Sequence, residues 1–253
     1  MEITLSPNHL HPDEQSFKLN KFSALIGENG CGKSSILQTI FEGRMSDVML
    51  SDWKVVCFSS GHNERYSRAF SNYLKKARKS KSGLSLHCFY YDKTWSPLLI
   101  FLASVLKKQG KVRNLLKSLG LQVRVFDDDF EDIISKQDIK ITSRDIFNTS
   151  FESAHVEGET DIIMDDPAVT FLTQAIDANN PITKTSLRLK FYNDLSLDEV
   201  SDGEYQLLFV YALLDLFDNE KTLFLFDEAD SHLHYRNINK LWASIDNAKG
   251  RAL

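Results

Sequence analysis

The chain has 253 residues, 42% of them hydrophobic and 26% charged, with a formal net charge of −5. That length sustains one sizeable core, or one core carrying a subdomain, and the acidic balance argues against a polybasic coat that binds nucleic acid non-specifically. Three cysteines, Cys31, Cys57 and Cys88, form no CxxC pair; they suggest neither a disulfide framework nor a thiolate zinc site, and a reducing cytoplasm fits them best.

The N-terminus lacks a basic region followed by an apolar one, and the longest apolar run, Leu98 to Leu106 with one serine, is too short to cross a bilayer. Glu2 to Leu5 and Ser16 to Leu19 read as short β pieces, and Phe22 to Ile26 as a buried strand entering a glycine-rich loop. Ser34 to Phe41 reads as a helix and Val55 to Ser59 as a strand. Tyr66 to Ala77, Leu98 to Lys108 and Val112 to Leu119 then read as helices and Ser85 to Tyr91 as a strand, none carrying a phosphate motif. Leu187 to Tyr192 resumes as a strand, Glu204 to Phe217 is a strongly apolar helix, and Thr222 to Phe226 is a buried strand ending in Asp227-Glu228. This order predicts an α/β fold, a mixed sheet with flanking helices, carrying a largely helical inserted subdomain. Its parts are residues 1–60, an inserted arm over 61–185, and 186–253.

Gly27-Glu28-Asn29-Gly30-Cys31-Gly32-Lys33-Ser34 fits G-x-x-x-x-G-K-[ST] between a predicted strand and a predicted helix, the context of a P-loop. The glycines let the backbone curl so that N–H groups face phosphate oxygens, and the helix that Ser35 continues adds its positive end. Lys33 is expected to reach the β and γ phosphates of ATP and the Ser34 hydroxyl to ligand Mg²⁺. Cys31 reads as a small residue facing away from phosphate.

Leu223-Phe224-Leu225-Phe226 makes a strand buried on both faces, whose carboxyl end delivers Asp227 beside the loop to hold the magnesium. Glu228 is then placed to take a proton from the attacking water. Upstream, Val200-Ser201-Asp202-Gly203-Glu204 opens the apolar helix. Ser201 can cap it, Gly203 admits close backbone approach, and the free N–H groups form a second anion site, most naturally used on a neighbour's γ-phosphate.

With its GxNGxGKS loop, S-x-G-E stretch and terminal Asp-Glu, the sequence resembles the ABC/SMC class of ATPases. The resemblance implies two subunits sandwiching two ATP molecules, with Ser201 and Gly203, flanked by Asp202 and Glu204, acting on the opposite subunit's γ-phosphate. It also implies Asp230 in the D-loop at the interface. "DEADSHLH", residues 227 to 234, is similar to OLD-like ATPases of bacterial anti-phage systems, including Septu, PARIS and retron systems. That likeness implies a homodimer or higher homo-oligomer whose ATPase senses infection or restrains a nuclease or toxin effector. An ATP-holding scaffold with little turnover and a DNA-repair SMC-like ATPase are the alternatives, and no membrane partner is expected. His232 and His234 have no third ligand nearby and read as structural.

Two departures accompany the likeness. Where the class carries a Gln after the second strand, this chain has Ser60-Gly61-His62-Asn63, leaving Ser59, Ser60 and Asn63 as candidates for its role. The strand that would carry a switch histidine would begin near Arg251, so a longer protein is the expectation. Finally, Arg65, Arg68, Lys75, Lys76, Arg78, Lys79 and Lys81 cluster in an otherwise acidic chain, either as a contact for DNA or an acidic partner or as a solvated helix face. The run Asp127 to Asp132 reads as a charged loop.

Overall fold

The computed structural model describes residues 1–5, 7, 12–60, 64–79, 86–107, 109–121, 131–133, 140–142, 197–231 and 233–253. The chain divides into two compact units, one of Met1–Lys75, His87–Asp92 and Phe217–Leu253, the other of Lys76–Leu86 and Lys93–Leu216.

The first unit is built on a parallel four-stranded sheet in the order β4-β3-β7-β8, formed by β3 (Lys54–Ser59), β4 (Cys88–Tyr91), β7 (Thr222–Asp227) and β8 (Arg251–Ala252). Val55 to Phe58, Cys88 to Tyr91 and Thr222 to Leu225 are all buried, which is why these runs are continuously apolar instead of alternating. In the register of β3 with β7, Lys54 faces Thr222 and Ser59 faces Asp227, so the two strands end level at the carboxyl edge. That edge is where open α/β sheets place their ligands. Helix α1 (Lys33–Met45) packs on β3, β4 and β7, burying Leu37, Ile40 and Phe41. β1 (Glu2–Leu5) and β2 (Gln15–Lys18) form a separate antiparallel pair. The α/β class expected from the sequence therefore holds.

One expected strand is largely absent. Over Phe22 to Ile26 the ladder shrinks to a single parallel bridge between Phe22 and Ala252, with Phe22 38% and Ile26 95% exposed. Lys21 to Ser23 meet β8, the Ala252 N–H donating to the Lys21 carbonyl and the Ser23 N–H to the Ala252 carbonyl, each at 3.0 Å. Conversely α6 (Tyr235–Asp246), not expected from sequence, closes the unit with buried Leu241 and Ile245, Trp242 meeting Phe22 at a ring distance of 5.3 Å.

In the second unit, α3 (Ser96–Leu106) packs against α4 (Lys111–Ser118) and the single turn Lys93–Trp95. Leu98 to Ala103 are fully buried, so this apolar run serves core packing. Short strands β5 (Glu131–Ile133) and β6 (Lys140–Thr142) pair antiparallel, and α5 (Asp202–Phe217) is apolar along its middle, Leu207 to Val210 and Ala212 to Leu214 being buried. The expected strand Leu187 to Tyr192 lies outside the described residues. Among the described residues no helix is long and apolar enough to cross a membrane.

Candidate functional site

The loop from Gly27 to Lys33 turns on two glycines with left-handed backbone, Gly30 at φ 85° and Gly32 at φ 94°. A side chain at either position would be strained. Gly32 leads directly into α1, whose first turn has no side-chain cap, so its N–H groups point outward as an anion site requires. Lys33 folds back over the loop, its Nζ donating to the carbonyls of Gly27 at 2.8 Å and Glu28 at 2.9 Å. A closing turn sets the Cys31 N–H on the Glu28 carbonyl at 3.3 Å. Asn29 and Cys31 are exposed, and Cys31 Sγ lies 3.9 Å from Lys33 Nζ.

Ser34, the second residue of α1, donates its hydroxyl to Asp227 Oδ1 at 2.9 Å, across 193 positions of sequence. Burial pushes the Asp227 carboxyl above its ordinary value and the Glu228 charge adds to this, while the Ser34 hydroxyl and the Lys33 ammonium pull it down. A carboxylate and a hydroxyl converging at the carboxyl edge are hard oxygen donors of the kind Mg²⁺ takes, and a cation there would offset the burial that disfavours the Asp227 charge. The residues present therefore fit both a phosphate chain and its magnesium.

Glu228, exposed and one residue past the strand, has φ 57°, in the left-handed region a bulky side chain seldom adopts. It turns the chain abruptly: Ser231 N–H returns to the Glu228 carbonyl at 3.0 Å and Leu233 N–H to that of Asp230 at 3.2 Å, leaving Asp230 exposed and Ala229 buried. Ser60 donates its N–H to the Asp227 carbonyl at 3.2 Å, so Ser59 and Ser60 sit at this edge, whereas Asn63 lies outside the described residues. His234 caps α6 by accepting the Arg236 N–H on Nδ1, and His232 lies outside. Among the described residues no group of three or more His, Cys, Asp or Glu is placed to hold a metal ion.

The residues around Ser201 belong to the second unit and form their own cluster. Ser201 Oγ donates to Glu204 Oε2 at 2.7 Å and accepts the Glu204 N–H at 3.4 Å, a capping box that starts α5. Lys93 Nζ reaches Asp202 Oδ1 at 3.4 Å and lies 5.5 Å from the Tyr205 ring centre, and the Tyr205 hydroxyl bonds that of Ser96. Gly203 is the second residue of the helix.

On α2 (Glu64–Lys79), Tyr66, Phe70 and Leu74 are buried while Arg65, Arg68, Lys75 and Lys76 are exposed. The aromatics thus form a packing face and the cations face water. Arg78 and Lys79 continue the helix, while Lys81 and Asp127 to Phe130 lie outside the described residues. Sequence periodicity places Tyr66 on the packing face and says nothing of its hydroxyl, which donates to the Ser34 carbonyl at 3.1 Å. The one available signal is that a buried tyrosine, unlike phenylalanine, needs a partner for its O–H.

A protein-family model described as "AAA domain, putative AbiEii toxin, Type IV TA system" matches residues 63–251. The match takes in Ser201 to Glu204 and Asp227 to Asp230 and begins after the glycine-rich loop. No curated protein and no solved structure matches the chain.

Proposed function

The chain belongs to this family of AAA-domain ATPases, and on that premise we propose that it binds and hydrolyses ATP with Mg²⁺, pairing with a second copy around two nucleotides. Membership of a P-loop ATPase family implies ATP binding; the remaining steps rest on the site. The observation that carries them is the 2.9 Å contact of Ser34 with Asp227 at the uncapped start of α1. It joins the residue after the glycine-rich loop to the end of β7, and that supports the reading.

In this reading the backbone from Gly27 to Ser35 binds the phosphates and Lys33 exchanges the Gly27 and Glu28 carbonyls for phosphate oxygens. Ser34 and Asp227 would hold the magnesium, whose charge would stabilise that developing on the phosphoryl oxygens. Glu228, at the turn beyond the strand, orients the attacking water and accepts its proton. Ser201 and Gly203 of the opposite copy complete the site, the Ser201 hydroxyl leaving Glu204 for phosphate, with Asp230 at the interface. Burying phosphate charge among fixed donors lowers the barrier because they need no rearrangement as charge moves. The likeness to OLD-like anti-phage ATPases and the link of the family's description to a type IV toxin–antitoxin system support a regulatory ATPase that controls a nuclease or toxin effector.

The test is particle mass of the Glu228→Gln variant with and without MgATP. Nucleotide-dependent doubling that is lost on adding Ser201→Arg is the expected result. A monomeric mass in both conditions would overturn the sandwich.

A further inference from the structure

Behind the Ser34–Asp227 pair lies a buried phenol. Tyr66 is fully buried on α2, stacked on Tyr90 at a ring distance of 5.2 Å and 11° between planes, and tilted against Phe41 at 5.8 Å. Phe41 belongs to α1 and Tyr90 to β4, so the ring is wedged between the helix that carries Ser34 and the sheet. Its hydroxyl donates to the Ser34 carbonyl at 3.1 Å and also hydrogen-bonds the fully buried Cys57 thiol on β3. Burial pushes the phenol and the Cys57 thiol upward, and the Asp227 charge acts on both in the same direction. β3 in turn ends at Ser59, opposite Asp227, and Ser60 bonds the Asp227 carbonyl. A closed ring of contacts therefore runs Asp227, Ser34, Tyr66, Cys57, β3 and back to Asp227.

We infer that Tyr66 is a positioning residue for the magnesium ligands, its hydroxyl fixing the first turn of α1 so that Ser34 Oγ meets Asp227. The inference rests on the nucleotide reading given above and deepens it. Packing alone does not call for a phenol here: phenylalanine would fill the same space, and an O–H buried at this depth is retained only with partners. One partner is the backbone carbonyl of Ser34, whose own hydroxyl donates to the Asp227 carboxylate. Freed of that bond, the first turn of α1 keeps its phosphate-facing N–H groups and loses its fixed distance to the carboxylate.

Calorimetric titration of the full chain with ATP, once in EDTA and once in Mg²⁺, tests this by reading how much the cation adds to nucleotide affinity. Tyr66→Phe is expected to hold metal-free affinity within about twofold while the magnesium increment falls about tenfold, the scale for groups that orient a metal ligand. In a Ser34→Ala background Tyr66→Phe is expected to change nothing further, because the phenol acts through Ser34. An unchanged increment overturns the inference, as does a parallel fall of both affinities, which marks a packing role. A full further loss on Ser34→Ala also overturns it. Wild-type chain that binds no ATP in either buffer would instead overturn the nucleotide reading, a result distinguishable from all of these.

Discussion

Ser34 and Asp227 meet through one hydrogen bond of 2.9 Å, and each is the other's partner at the edge where β3 and β7 end. Removing either leaves a single oxygen donor where two converge. Ser34→Ala and Asp227→Asn are each expected to lower Mg²⁺-dependent ATP hydrolysis about 100-fold or more. Metal-free nucleotide binding, carried by the loop and Lys33, is expected to persist. Steady-state phosphate release and fluorescent-nucleotide titration in EDTA read the two separately, and equal loss of both would count against a metal role for the pair.

Cys31 is exposed, whereas Cys57 and Cys88 are buried. Brief iodoacetamide treatment of the native chain is expected to modify Cys31 alone, read by peptide mass spectrometry. Because Cys31 Sγ is 3.9 Å from Lys33 Nζ within the loop, saturating ATP is expected to slow that modification about tenfold or more by covering the loop. Unaltered labelling would place the nucleotide elsewhere.

Burial holds the Cys88 thiol up to about 12 and pushes Cys57 in the same direction from an ordinary value of 9.0. Between those values the unfolded chain gives up these protons before the folded chain does. The stability Cys88 contributes is thus fully present below pH 9.0 and is lost as pH rises toward about 12, and the contribution of Cys57 falls in the same direction. Urea midpoints on either side of pH 9.0 are expected to fall steeply for wild type and less steeply for Cys88→Ala.

Asp215 accepts the backbone N–H groups of Lys111 and Val112, both at 2.9 Å, at the start of α4, where Gly110 has no side chain to cap them. Asp215→Ala leaves two donors without their carboxylate and is expected to cost about 2 kcal/mol in urea unfolding. Asp215→Asn, which keeps one acceptor, is expected to recover part of that loss.

The parallel strands were legible because burial on both faces makes Val55 to Phe58 and Leu223 to Leu225 short unbroken apolar runs. The glycine loop, Asp227-Glu228 and the Ser201 cap were legible because their chemistry demands fixed spacings. What escaped depends on distant partners. Phe22 to Ile26 has a strand's composition, but pairing depends on a neighbour distant in sequence, met here at Phe22 by Ala252. Helix α6 is capped by His234, a cap less typical than Ser or Asp, although Ile238, Leu241, Trp242 and Ile245 recur at helical spacing. No periodicity distinguishes the Tyr66 hydroxyl from a bare ring.

The left-handed backbone at Glu228 bears on which variants report its chemistry. At φ 57° the position suits Gly or Asn better than Glu. Glu228→Gln keeps the bulk and the strained turn while removing the charge, so its effects belong to the carboxylate. Glu228→Gly removes the side chain and relaxes the turn together, so any loss it causes has two sources.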